Sequence, residues 1–140
     1  MSYLLDTCVI SELVKKSPRR QVVDWIDAQE ESTLYLSALT IGELEKGIAK
    51  LAASARKAKL ATWVRRELAA RFGGRLLPID ARVASRWGAI TGESERRGRP
   101  LPVIDSLIAA TALVHDLQVV TRNVDDFQRC GVACVNLWDD

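Results

Sequence analysis

Short apolar runs alternate along this chain with longer stretches in which apolar residues recur every three or four positions. The longer stretches, such as the one from Thr40 to Leu51, have the period of amphipathic helices. The short runs have the length and composition of buried strands and cover residues 3–6, 33–37, 76–79, 117–121 and 132–137. This alternation predicts an α/β fold with a mostly parallel five-stranded sheet flanked by helices.

Sequence signals for helix ends lie between these runs. A helical stretch begins near Ser11, and Ser17-Pro18 supplies a cap followed by proline at the first position of the next helix. Gly73-Gly74 ends a long helix over about residues 53–72. Asp80 can cap the helix after it. The pattern therefore predicts a helix before and after most of the short strands.

The stretch at residues 103–115 differs because it is apolar almost all the way round, which predicts a buried helix. Its polar N-terminal end carries Asp105 and Ser106. A short turn or helix at residues 123–127 follows the fourth strand. Pro78 favours an edge position for the third strand, because proline cannot donate to a neighbouring strand.

Composition narrows the class of protein. The chain has 140 residues, 48% hydrophobic and 27% charged, and a net charge of +2, which fits one globular domain over residues 1–140. No apolar run approaches the length of a membrane span and no basic signal region precedes the first strand, so we expect a soluble cytoplasmic protein. The three cysteines, Cys8, Cys130 and Cys134, are expected to be free thiols, and with one histidine a zinc site is not expected.

Acidic residues lie where apolar segments end. Carboxylates at the boundaries of separate elements predict one convergent acidic site, and oxygen ligands of this kind suit Mg²⁺ or Mn²⁺. Each acid alone also has an ordinary explanation as a turn residue, a cap or a solvated helix position. The candidates are Asp6, Glu43, Asp105 and Asp126.

Such a site can perform a specific chemistry. Two hard cations can activate a water and stabilise the leaving oxygen of a phosphodiester, and no side-chain nucleophile is then needed. This suits a chain whose only histidine, His115, lies late in a helix, and which has no Gly-Lys-Ser/Thr sequence after Gly73-Gly74 to cradle a nucleotide. Metal-assisted hydrolysis is the leading hypothesis.

Four segments carry a family resemblance. They are LDTCVISE at residues 5–12, LSALTIGEL at 36–44, LPVIDSLIAATA at 101–112 and VTRNVDDF at 120–127. Together they resemble the motifs of PIN-domain ribonucleases, and most closely those of the VapC-like and FitB-like toxins of type II toxin–antitoxin systems. The resemblance extends over essentially the whole chain and implies a PIN-like three-layer sandwich.

The resemblance also implies a Mg²⁺- or Mn²⁺-dependent endoribonuclease with Asp6, Glu43 and Asp105 as its invariant acids. The family's fourth acid would fall near Asn123, which is an amide in this chain. We therefore assign the fourth position jointly to Asn123 and Asp126, with Asp125 as a third candidate.

A second departure from the family lies beside the first acid. Cys8 occupies a position where relatives usually have asparagine, so a hydrogen bond from that asparagine to Asp6 is in question. Thr7 remains as an orienting hydroxyl. The number of metal ions is left open between one and two.

Basic residues suggest where RNA would lie. A turn containing Arg96, Arg97 and Arg99 precedes the helix that bears Asp105, and Arg122 adjoins Asn123. These arginines could contact flanking phosphates, which position a substrate without reading its sequence. The alternative is that they only solvate a turn.

Partner proteins are implied by the resemblance. Such toxins usually homodimerise and are silenced by a cognate antitoxin whose C-terminal segment covers helical grooves, and toxin and antitoxin can form higher hetero-oligomers. The surface suggested for this contact contains Leu13, Val14, Leu60, Val64 and Leu68, although core packing is the alternative for these residues. It is flanked by Lys15, Lys16, Arg19 and Arg20.

Three other functions compete. A phosphatase of the haloacid dehalogenase-like class would need a second aspartate where Cys8 lies, and a receiver-like phosphoacceptor would need an acidic pair ahead of the first strand's aspartate and a late lysine. The third is a catalytically degenerate PIN domain acting as a binding or scaffold protein, which the amide at Asn123 leaves open.

Overall fold

Five parallel strands form one sheet in the computed structural model, which describes residues 1–139. The strand order is β3-β2-β1-β4-β5, and Tyr3 in the central strand pairs with Leu34 on one side and Gln118 on the other. The proline-flanked third strand lies at an edge, as predicted. The strands are β1 (Tyr3–Leu5), β2 (Leu34–Ser37), β3 (Leu76–Leu77), β4 (Gln118–Val120) and β5 (Cys134–Val135).

Helices connect the strands and cover both faces of the sheet. They are α1 (Thr7–Leu13), α2 (Arg20–Ala28), α3 (Ala38–Ala49), α4 (Ala55–Thr62), α5 (Ala69–Phe72), α6 (Ala81–Arg96), α7 (Val103–Val114) and α8 (Val124–Arg129), with a π-helical segment at Trp63–Leu68 and 3-10 turns at Glu31–Thr33 and Gly73–Arg75. Over residues 1–139, no helix combines the length and apolar composition that crossing a membrane would need.

The central strand divides the core into two layers. Leu5 packs on one face of the sheet with Val9, Ile10 and Phe72, whereas Leu4 packs on the other face with Ile108 and its neighbours in α7. Adjacent residues of a strand point to opposite faces, so both must be apolar when helices cover both sides. The predicted three-layer α/β sandwich is confirmed.

Two helix starts differ from the prediction. α1 begins at Thr7 rather than near Ser11, because Asp6 caps it by accepting a hydrogen bond from the Thr7 amide. α2 begins at Arg20, beyond Ser17-Pro18, and no side chain caps it. The Arg19 amide instead donates to the Glu12 carboxylate at 3.1 Å, which fixes the entry to α2.

The long helix predicted over residues 53–72 contains a wider π-helical segment at Trp63–Leu68. Its apolar residues at Leu60, Val64, Leu68 and Phe72 are each four apart. A regular α-helix would rotate this series by roughly 120° over twelve residues. The wider turn reduces that drift, and Val64, Leu68 and Phe72 are all buried.

Candidate active site

Four acids approach one another at the carboxyl edge of the sheet. Asp6 directly follows β1 and Glu43 lies in α3, which directly follows β2. Asp105 lies in the first turn of α7, and Asp126 lies in the first turn of α8 after β4. Asp6, Asp126 and Glu43 all act electrostatically on Asp105, which places the four carboxylates in one cluster. These four residues form the acid cluster.

Asp6 is the most enclosed member, with 3% of its surface exposed. Its Oδ1 accepts from the Thr7 amide at 2.8 Å, and its Oδ2 accepts from the Thr121 hydroxyl at 2.7 Å and from the Cys8 thiol at 3.6 Å. All three donors are neutral. Burial raises the pKa of Asp6 above its ordinary value, and these hydrogen bonds only partly oppose that effect.

Thr121 is a functional candidate that the sequence analysis missed. Its hydroxyl donates to Asp6 and accepts from the Asn123 amide at 2.9 Å, so it links the end of β4 to the acid after β1. Cys8 makes a second link, because its sulfur accepts from the Arg122 amide at 3.4 Å. In the sequence, Thr121 looks only like the last residue of a strand.

Thr7 joins Asp6 to the next acid. Its hydroxyl donates to Glu43 Oε1 at 2.5 Å and lies 3.3 Å from the hydroxyl of Thr40, which is fully buried. Thr7 therefore contacts one acid through its amide and another through its side chain. This geometry agrees with the orienting part expected of Thr7.

The pKa of Asp105 is raised from 3.8 to about 6. Burial is the largest cause, and repulsion from Asp6, Asp126 and Glu43 adds to it. A hydrogen bond with Asp126 also favours its protonated form. Like charges held close together disfavour ionisation, as expected for a cluster without a cation.

The three candidates for the fourth position of the acidic site have different surroundings. Asp126 interacts directly with Asp105, whereas Asn123 contributes its backbone amide to Thr121 and its side chain makes no capping bond to α8. Asp125 is exposed. Of the three candidates, Asp126 is therefore the one that the structure brings into the acid cluster.

The donor set fits a hard divalent cation. It consists of carboxylate oxygens, and within residues 1–139 no basic side chain forms a salt bridge with Asp6, Glu43 or Asp105. Over the same residues, no three acidic, histidine or cysteine side chains form a ready-made metal shell. The carboxylates would have to turn towards a bound ion.

The basic turn before α7 is hydrogen-bonded rather than loose. Arg96 and Arg97 both bind Glu93, at 2.7 Å and 3.0 Å, and the Arg99 amide donates to the Ser94 carbonyl at 2.8 Å. Arg129 bridges this turn and the acid cluster: it donates to the carbonyls of Arg99 and Pro100 and lies 3.7 Å from Asp126 Oδ1.

Glu12 is a second buried acid, and no pattern in the sequence indicated its burial. It is 4% exposed and accepts from the Trp138 indole at 3.2 Å and from Lys15 at 3.1 Å. Burial raises its pKa, but these bonds and the one from the Arg19 amide outweigh burial and hold that pKa below its ordinary value. Glu12 joins the C-terminal segment to α1.

Residues 3–132 match the PIN domain, and the chain therefore belongs to the PIN-domain family. It is 38% identical to the VapC ribonuclease Y4jK of Sinorhizobium fredii over 97% of each protein. It is also 38% identical to Toxin FitB of Neisseria gonorrhoeae, over 98% of this chain and 99% of that protein. The predicted resemblance to VapC-like and FitB-like toxins is confirmed.

Solved structures agree with this placement. A chain in the crystal structure of FitAcB from Neisseria gonorrhoeae matches with a TM-score of 0.92 and 37% identity, over 99% of both chains. A chain in the structure of FitAB bound to an IR36 DNA fragment matches with a TM-score of 0.91 and 36% identity, over 99% of this chain and 96% of that one.

Proposed function

We propose that this chain is a divalent-cation-dependent endoribonuclease, and that it is the toxin of a type II toxin–antitoxin system. One observation carries the nuclease proposal: four carboxylates from separate parts of the chain form one cluster, and its most buried member, Asp6, has only neutral hydrogen-bond donors. Burying a charge in this way is costly unless a cation or a proton compensates for it. Relatives over nearly the full length are named VapC ribonuclease and Toxin FitB.

Asp6, Asp105, Glu43 and Asp126 would hold Mg²⁺ or Mn²⁺. When bound, such an ion lowers the pKa of a coordinated water and stabilises charge on the phosphodiester oxygens. The protein fixes the ligands: Thr121 and Thr7 hold Asp6, and Thr7 also holds Glu43. Burial and the neighbouring carboxylates raise the pKa of Asp105 to about 6, so a bound cation would favour its ionised form.

RNA would approach the acid cluster between two basic elements. Arg122 lies beside Asn123 on one side, and the turn with Arg96, Arg97 and Arg99 is joined to Asp126 through Arg129 on the other. Arginine contacts to phosphates supply affinity without selecting sequence. Glu93 neutralises part of the turn's charge, so Arg99 contributes most strongly there.

A groove beside α1 would receive the antitoxin. Leu13, Val14, Leu60 and Trp63 line it together with Arg56 and Lys59, whereas the predicted surface residues Val64 and Leu68 are buried in the core. An apolar floor bordered by two basic residues and one acidic residue, Glu67, suits an amphipathic segment with a net negative charge. The matching solved structures are FitAcB and FitAB bound to a DNA fragment, and we extend association with an antitoxin, and homodimerisation, to this chain.

The proposal is tested by incubating purified, antitoxin-free protein with RNA in Mn²⁺ or Mg²⁺. We expect internal cleavage that EDTA stops, and a loss of at least 100-fold in rate for Asp6→Asn and for Asp105→Asn. Asp80→Asn is the matched control, because Asp80 follows another strand and caps α6, and asparagine caps equally well. Wild-type rates in both cluster variants would refute the mechanism. An inert wild-type protein that still binds its antitoxin would instead support the degenerate PIN domain.

A further inference from the structure

A polar cleft of about 630 Å³ extends from the acid cluster towards the edge of the sheet. It lies between the turn that follows β4 and the segment that follows β5, and Asp126 belongs to both the cleft and the cluster. Ligands of parallel α/β sheets bind outside the carboxyl ends of strands, where this cleft lies. Its polar lining residues are Arg122, Asn123, Asp125, Asp126, Asn136 and Asp139.

The charges of this cleft do not suit a phosphate. Three carboxylates face it against a single arginine, so a second phosphate group would be repelled. The cleft nevertheless offers both kinds of hydrogen-bonding group, since amides and a guanidinium donate while carboxylates accept. A neutral, planar ligand with donors and acceptors on its edge matches this set, and a nucleobase has those properties.

Arg122 is held in place by an aromatic ring. Its guanidinium carbon lies 5.5 Å from the centroid of the Trp138 ring, within the range of a cation–π contact. A guanidinium stacked on a ring keeps its N–H groups free at the edges. Arg122 therefore presents donors from a fixed position beside Asn123.

The C-terminal segment forms one wall of the cleft, and hydrogen bonds of Trp138 fix this segment to the rest of the protein. The Trp138 indole donates to the buried Glu12, the Trp138 carbonyl accepts from Arg19 at 3.2 Å, and the Trp138 amide donates to Asn136 Oδ1 at 2.9 Å. That last bond occupies the oxygen of Asn136 and leaves its NH₂ group to donate. The C-terminal segment thus forms an ordered wall.

We propose that this cleft binds the nucleobase of a nucleotide next to the scissile phosphate, and that it selects guanine. The inference rests on the proposed function, because it assigns a specificity site to the same RNA substrate. Guanine has adjacent N1–H and N2–H₂ donors that a carboxylate can accept, and O6 and N7 acceptors that an arginine can contact together. Asp125 or Asp139 would accept from the first pair, and Arg122 and Asn136 would donate to the second.

Sequencing the ends of a randomised RNA pool cut by wild-type protein with Mn²⁺ tests the assignment. We expect guanine at one position beside the cut to be enriched at least fivefold. Asn136→Ala should reduce the enrichment to less than twofold while metal-dependent cleavage continues, and Arg122→Ala should reduce the enrichment to the same extent. Gln128→Ala and Arg86→Ala are the matched controls, since both residues are exposed and Arg86 lies in the middle of α6. Unchanged enrichment in Asn136→Ala, or enrichment of another base, would overturn the inference.

A binding measurement separates this inference from the proposed function. In EDTA, guanosine monophosphate should bind at least fivefold more tightly than the uridine, cytidine and adenosine monophosphates, as followed by NMR shifts of the Asn136 amide. If the wild-type protein does not cut RNA, the relative affinities for the four nucleotides still show whether the cleft selects guanine. Equal affinities for the four nucleotides would reject it.

Trp138 variants test the support of Arg122. Trp138→Phe keeps a ring beneath the guanidinium and should retain the guanine preference, whereas Trp138→Leu removes the ring and should lower the preference towards that of Arg122→Ala. Thermal unfolding identifies variants that fail to fold. Equal guanine preference in folded Trp138→Leu and wild-type protein would refute a positioning part for Trp138.

Discussion

Two buried carboxylates in this chain have opposite surroundings. Glu12 accepts from an ammonium group, an indole and a backbone amide, and its pKa is lowered. Asp6 accepts only from neutral donors, and its pKa is raised. A buried charge without compensation is retained at a cost in stability. The contrast indicates a structural part for Glu12 and supports the proposal that Asp6 is a ligand for a cation.

Replacing Asp105 by asparagine should stabilise the metal-free protein at neutral pH. The pKa of Asp105 is raised from 3.8 to about 6 on folding, so between these values the folded state binds more protons than the unfolded state. The free energy of unfolding therefore falls as pH rises through this window. The shift corresponds to at most roughly 3 kcal/mol, and solvent screening at this partly exposed group reduces the expected gain at pH 7 to about 1 kcal/mol.

Denaturant unfolding of both proteins in EDTA from pH 3.5 to 8 measures this gain. The two stabilities should converge below about pH 4, where the carboxyl of Asp105 is protonated in both states. A variant less stable than wild type at pH 7 would show that the acid cluster does not repel itself.

At the scale of elements, the acids that could be identified from sequence are those that lie near the start of a helix. Asp6 lies between β1 and α1, Glu43 lies in the helix that follows β2, and Asp105 lies in the first turn of α7, and the apolar pattern reveals all three boundaries. Thr121 and Glu12 carry no such signal, because their importance depends on partners 115 and 126 residues away in the chain. Likewise, the sequence shows that Arg122 adjoins Asn123, but it does not show that Arg122 contacts the ring of Trp138.

The groove between α1 and α4 makes a separate prediction. Leu60→Glu should weaken antitoxin binding at least tenfold, because it places a carboxylate on the apolar floor of the groove, while RNA cleavage by the free protein stays within about twofold of wild type. Calorimetric titration with the antitoxin checks the first part, and a cleavage assay checks the second.

Leu51→Glu is the matched control for the groove, since Leu51 is already exposed and lies outside it. If Leu60→Glu and Leu51→Glu bind the antitoxin with the same affinity as wild type, the groove is not the docking surface.

At the scale of the whole molecule, the parallel sheet and its two covering layers were predictable, but the approach of Asp126 to Asp105 was not. Alternation of strands and helices implies parallel strands, and apolar residues on both faces of each strand imply two covering layers. The approach of Asp126 to Asp105 depends on the path of the turn after β4, which no local pattern specifies. The positions of the acids at element boundaries predicted one convergent site, and the family motifs singled out Asp6, Glu43 and Asp105 within it.

Charge over the whole surface predicts a salt dependence. The chain carries a net charge of only +2, so RNA affinity must come from local arginines rather than overall attraction. Replacing Arg96, Arg97 and Arg99 by alanine should lower RNA affinity and reduce the slope of log affinity against log salt by about 1 to 2. Binding to a non-cleavable RNA analogue measures this slope between 50 and 200 mM salt, roughly the range in which phosphate contacts dominate.

A variant with the same charge change elsewhere controls for net charge. Arg56, Arg65 and Arg66 are exposed on the α4 side of the molecule, and their joint replacement by alanine should leave the slope close to that of wild type. Equal slopes for the two triple variants would mean that the basic turn makes no phosphate contacts.

The proposed nuclease activity depends on a divalent cation binding among the four carboxylates, and thermal unfolding with and without Mn²⁺ measures this binding directly. At an ion concentration near 100 times the dissociation constant, binding stabilises the folded state by about 2.7 kcal/mol, which corresponds to a rise in Tm of about 5 °C or more. Asp6→Asn and Asp105→Asn should lose most of this rise, and Asp80→Asn should keep it. A wild-type Tm that does not change at millimolar Mn²⁺, or an equal rise in all four proteins, would contradict a metal site at the acid cluster.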